Sequence, residues 1–155
     1  MRNLLATLIL LFICPAFAQA DDYKRTINPE TALKAVQLFK SDPLGPDAEG
    51  ALAVALNFAE YSDLVTVQVS RKYLPWQFEA VEQKINAKLL GAYISGNLEH
   101  QLNNNINKNS PLEGIRLALH VYQLLRADGQ IAENTNLETW IALDKEGKLA
   151  GEIEI

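Results

Sequence analysis

Six prolines are spread over the 155 residues, and five of them, Pro29, Pro43, Pro46, Pro75 and Pro111, follow residue 20. Proline lacks a backbone N–H and fixes φ near about −65°, so it belongs in the first helical turn or in a connector. These prolines therefore divide the chain into helical segments. Asn28-Pro29-Glu30 offers an N-cap, a proline at the first helical position and an acid at the positive helix end, predicting a helix to about Ser41. Leu33, Val36 and Phe39 share one side of it, and Asp42-Pro43 stops it. Gly45-Pro46-Asp47 opens a second helix to about Tyr61. Its alanine stripe (Ala48, Ala51, Ala55, Ala59) and bulky stripe (Val54, Phe58, Tyr61) predict packing on two sides and a central place.

The stretch LVTVQVSRKYLPW, Leu64 to Trp76, breaks this pattern. Val65, Val67 and Val69 alternate as in a β-strand, and a lone strand must find backbone partners. GEIEI at the C-terminus is the obvious candidate, which leaves room for a two-stranded ribbon joining 65–70 to the chain end. From Pro75 or Trp76 a long helix is predicted to about Asn103, with Phe78, Val81, Ile85, Leu89 and Ala92 at 3/4 spacing. Gly91 and Gly96 within it mark either a close helix contact or a break. NNNINKNS, 103–110, reads as a polar loop. Ser110-Pro111-Leu112-Glu113 then reads as a capping box for a helix to about Ala127 carrying Ile115, Leu119, Tyr122 and Leu125. Residues 136–147 favour a short capped helix over a hairpin. The fold expected is mostly α, a single compact domain of about five helices over 28–155.

The first twenty residues, MRNLLATLILLFICPAFAQA, place one arginine before an apolar run and a small-residue pattern at Ala18-Gln19-Ala20. That is the layout of a secretory signal peptide, with cleavage expected after Ala20 and 21–27 as a flexible lead-in. Ile13 before Cys14 disfavours a lipid anchor. Export to a bacterial periplasm or the extracellular space is expected, with no stable membrane span after cleavage. Cleavage removes Cys14 and Met1, the one cysteine and the one methionine, so thiol nucleophiles, iron–sulfur clusters and cysteine zinc sites are excluded from the processed chain. It also removes Arg2, the only charge in the leader, taking the net charge from −5 to −6. Lys and Arg are otherwise scattered singly apart from Lys24-Arg25 and Arg71-Lys72, which argues against a nucleic acid partner.

No catalytic set stands out. The two histidines, His100 and His120, would need Glu99 or Glu113 to complete a metal site. Neither carboxylate has chelating spacing, and no metal or cofactor is expected. Glu79, Glu82, Glu152 and Glu154 read as hydrated acids, and none of the serines lies in G-x-S-x-G. No glycine-rich phosphate loop is present. Leu90-Gly91 is similar to the Leu-Gly pair of a tetratricopeptide repeat, but Asn103 and Asn107 stand where that repeat has alanine and an aromatic. Surface recognition remains. Tyr73, Trp76 and Phe78, beside Arg71 and Lys72, are residue types enriched at binding hot spots, although Tyr73, Leu74 and Trp76 would equally form a lid over the core. Arg71, Lys72, Tyr73 and Trp76 are thus the candidate binding residues for an envelope or periplasmic protein partner. The alternatives are a ligand or enzyme pocket between helices using His100, His120 or Glu79, and a subunit that self-associates through 65–70.

Overall fold

The computed structural model describes residues 27–78 and 82–154, the side chains of Gln77, Phe78 and Glu154 excepted. The expected leader, lead-in residues 21–26, Glu79 and Val81 lie outside the described residues. The described part is all-α: α1 (Pro29–Ser41), α2 (Ala48–Tyr61), α3 (Gln83–Asn104), α4 (Pro111–Ala127), α5 (Thr135–Lys145) and α6 (Leu149–Glu154). No helix here is long and apolar enough to cross a membrane.

Local chemistry sets most helix ends. The Asn28 side chain accepts from the Thr31 N–H at 2.8 Å, and Pro29 follows as the first helical residue. Gly147 takes φ 70°, the left-handed conformation that lets the chain leave α5. The N-cap of α5 is Asn134, whose Oδ1 accepts from the Leu137 N–H at 3.0 Å, two residues earlier than Asn136.

Four expectations need correction. The long helix begins at Gln83, and Arg71–Tyr73 and Pro75–Phe78 form two short 3₁₀ turns ahead of it. Leu74, between the two turns, and Trp76, in the second, are both wholly buried in the main core. Second, there is no β ribbon among the described residues, because the C-terminal segment is α6. Third, the Ser110 capping box does not close. Ser110 makes no side-chain cap, its Oγ donating to the Lys108 carbonyl at 3.1 Å, and Glu113 pairs with Arg116 at 2.8 Å. Finally, the central helix is α3, which packs on α1, α2 and α4.

The main core joins Phe39 of α1 to α2, α3, α4, α5 and α6 with Leu74 and Trp76, while a satellite core of Ala32, Val36, Ala55, Phe58, Val65 and Leu98 fills the space under the extended segment. Of the two readings of the α3 glycines, close contact is the one realised. A Cβ added to Gly96 would stand 2.4 Å from the Glu113 carbonyl oxygen, and one added to Gly114 would stand 2.5 Å from that of Tyr93. Neither obstacle is a movable side chain, so α3 and α4 meet backbone to backbone. Gly96→Ala is therefore expected to lower stability by about 2 kcal/mol or more through overpacking. Gly50→Ala, with nothing within 4 Å of the new methyl, should raise it by about 0.5 kcal/mol. Urea unfolding of the two variants, with opposite shifts of midpoint, checks this.

Candidate functional site

After α2 the chain turns at Ser62, whose Oγ accepts from the Leu64 N–H at 3.2 Å. It then runs through Val65–Ser70 with no helical, turn or strand pairing. Its backbone partners are side chains. Gln101 of α3, wholly buried, accepts from the Thr66 N–H at 2.9 Å and donates to the Thr66 carbonyl at 2.8 Å. One carboxamide thus offers the acceptor and donor that a neighbouring strand residue would offer. Asn109 accepts from the Gln68 N–H at 2.9 Å, and the Tyr93 hydroxyl donates to the Gln68 carbonyl at 2.8 Å.

Asn97 ties these groups together. It donates to Asn109 Oδ1 at 2.7 Å, accepts from Gln101 Nε2 at 2.6 Å, and accepts from the Ser110 N–H at 2.9 Å. Tyr93, Asn97 and Gln101 are spaced four apart, so they form a single stripe along α3. The asparagine-rich loop completes the arrangement. Asn107 accepts from Thr66 Oγ1 at 2.6 Å and donates to the Asp63 carbonyl at 2.7 Å. What reads in the sequence as a low-complexity polar loop is a set of backbone clamps. The signal for it was the Y-x₃-N-x₃-Q spacing along one face of α3, together with an extended segment in need of backbone partners.

The phenol of Tyr93 is pushed up to about 12, chiefly by burial, with the amides of Asn97 and Asn109 pulling the other way. Burial raises the Tyr122 phenol as well, even though that oxygen accepts from the Asn134 N–H. Both hydroxyls are therefore neutral donors at physiological pH. Tyr93 also stacks on Tyr73, ring centres 6.3 Å apart and planes inclined by 18°.

Above this network lies a cleft of about 660 Å³, lined by Thr66, Gln68, Lys72, Tyr73, Asn107 and Lys108 together with the edge of α6. The structure distributes the sequence-predicted residues unequally around it. Arg71 and Lys72 are exposed and Tyr73 is half-buried at the wall, whereas Trp76 is 0% exposed and belongs to the main core, as the lid arrangement requires. A wholly buried indole cannot touch a partner, so the surface set is Arg71, Lys72 and Tyr73. The Trp76 Nε1 has no hydrogen-bond partner among the described residues. Trp140 is half-buried against the same core.

Both histidines border one smaller groove of about 340 Å³ together with Glu99, Glu113 and Arg116. Its carboxylates are already engaged: Glu99 with Lys40 at 2.7 Å and with Gln37, Glu113 with Arg116 at 2.8 Å. Arg116 is also bound to Asp144 at 2.9 Å, the main reason its guanidinium is held even more firmly charged. Among the described residues no three His, Cys, Asp or Glu side chains group closely enough to hold a metal ion. The chain matches no protein-family model, no curated protein and no solved structure.

Two measurements test the network. Amide hydrogen exchange in dilute solution, where the chain is monomeric, is expected to find Thr66 and Gln68 protected although they lie in no helix or sheet, with Val67 and Val69 fast. Gln101→Leu should abolish the Thr66 protection and lower stability by about 3 kcal/mol, since it strands the Thr66 backbone groups and Asn97. The second measurement is alkaline unfolding. Folded Tyr93 holds its proton more tightly than the unfolded chain, whose phenol titrates near 10.0, so the stability it provides is fully present below that pH and is lost as pH rises through about 12. The melting temperature should fall over that window, and less steeply in Tyr93→Phe.

Proposed function

We propose that the protein is an exported helical module that acts by contact, receiving an acidic segment of another envelope or periplasmic protein in the cleft beside Tyr73. One observation carries this reading. In a chain of net charge −5, the ammonium groups of three lysines among the described residues, Lys72, Lys108 and Lys145, have neither a carboxylate nor a hydrogen-bond partner, and two of the three lysines line the same cleft. Their ammonium groups are available where most other described cations are neutralised by neighbours.

The chemistry suits an acidic chain segment. Lys72 and Lys108 supply charge, the half-buried Tyr73 ring supplies an apolar wall, and Leu112 and Ile153 extend that wall toward α6. The amides around them are mostly committed to the fold and set the shape of the cleft. Lysine pairs at a rim steer encounter and set salt dependence more than they set affinity. The partner is therefore expected to bind quickly and to weaken as salt rises.

Calorimetric titration with a short peptide of alternating Glu and Leu, with its Lys counterpart as control, tests the reading. Binding of the acidic peptide is expected at about 20 mM salt and should fall at about 500 mM. The double reversal Lys72→Glu with Lys108→Glu should weaken it at least tenfold, about 1.4 kcal/mol, with the fold intact. Equal binding by the double variant would reject the cleft. Binding of free glutamate as tight as the peptide would redirect the reading to a small-molecule carrier.

A further inference from the structure

The extended segment has two edges, and the fold uses one. Thr66 and Gln68 direct their N–H and C=O groups to α3, Asn109 and Tyr93. In an extended chain both backbone groups of a residue point to the same side, and the side alternates with each residue. Val65, Val67 and Val69 therefore present theirs on the opposite edge, where they have no hydrogen-bond partner among the described residues. Val65 is 6% exposed, Val67 is half-buried with its side chain on the main core, and Val69 is 53% exposed, so the edge opens from Val67 toward Val69.

Apolar side chains gather along the same stretch. Five large hydrophobic residues are exposed among the described residues, and Tyr61, Leu64 and Val69 lie on or next to the segment. A fourth, Ile106, precedes the Asn107 that clamps Asp63 and Thr66. Exposed apolar groups beside open backbone donors and acceptors mark a surface for strand addition.

We infer that this edge pairs antiparallel with the same edge of a second copy of the chain. The ends of the segment choose the occupant and the direction: Asp63 stands at one end and Arg71-Lys72 at the other. A two-fold antiparallel arrangement lays each acidic end beside the basic end of the other copy, whereas a parallel one stacks like charges. The accessible stretch fixes the register. With the axis at Gln68, Val67 of each copy faces Val69 of the other and the two exchange N–H···O=C bonds. Val67 and Val69 do not line the cleft, so the backbone pairing stands apart from the acidic segment proposed above, which shares only Lys72 with the charged ends.

Sedimentation velocity on the processed chain, from about 10 µM to about 1 mM, tests it. The mass is expected to rise toward twice that of the monomer. Val69→Pro removes an edge N–H at an exposed position, so it should leave the melting temperature unchanged and shift the association midpoint at least tenfold upward. Asp63→Lys, at an exposed position, should weaken association several-fold at low salt and much less at high salt. Both variants should keep binding the acidic peptide through Lys72 and Lys108, which separates this test from the previous one. A wild-type chain that stays monomeric throughout overturns the inference, even if it captures an added Val65–Ser70 peptide. Dimerisation that both variants leave untouched overturns it as well.

Discussion

Two wholly buried carboxamides on α3, Asn97 and Gln101, hold the extended segment in place, and the cleft and the free edge both follow from that. A carboxamide sealed from water costs several kcal/mol if left without partners, whereas a satisfied network gains strength from the low dielectric around it. Gln101 spends both of its donors, one on the Thr66 carbonyl and one on Asn97. The segment cannot lift away from α3 without stranding these groups, so an extended stretch outside any sheet is held by side chains alone. Val65 adds the apolar half of the attachment by plugging the satellite core between α1, α2 and α3.

The backbone contact between α3 and α4 is coupled to this network through adjacent residues. Gly96 lets the Glu113 carbonyl approach α3, and the next residue, Asn97, accepts at 2.9 Å from the N–H of Ser110, the N-cap residue of the same helix. Close approach and amide bond thus fix the start of α4 from two directions. The loop that leads into it must return from the end of α3 within a few residues, which brings Asn107 and Asn109 over the segment they clamp. A change at Gly96 would therefore be felt at Thr66 although the two do not touch.

Much of this architecture is written in local residues. Asn28-Pro29 and Ser110-Pro111 mark the starts of α1 and α4, and Gly147 marks the departure from α5. These signals are legible because a cap or a proline acts within a few residues. Longer-range competition is not. The Ser110 side chain leaves its box unformed while its N–H is held by Asn97, thirteen residues away in sequence. In α3, Gly91, Ala92, Tyr93, Ser95, Gly96, Asn97 and Leu98 are all buried, so apolar periodicity is nearly lost in a helix packed on several sides. The strand at 65–70 was legible as an extended chain in need of partners. That those partners would be amide side chains lies outside any rule that matches strands with strands. The candidate site was legible in part: Lys72 and Tyr73 stand at the cleft, but Lys108 reaches it only through folding.

The division of labour between the two edges also limits what the segment can do. A bare strand has two open edges and can propagate pairing in both directions, the hazard that leads to fibres. Here Gln101, Asn109 and Tyr93 fill the inner edge with groups that cannot be displaced without exposing buried amides. One edge remains, so the segment can accept one further strand and no more. If that strand comes from a second copy, two edges close on each other across a two-fold axis and nothing is left to extend. The buried amides that anchor the segment would then also terminate the assembly at two chains.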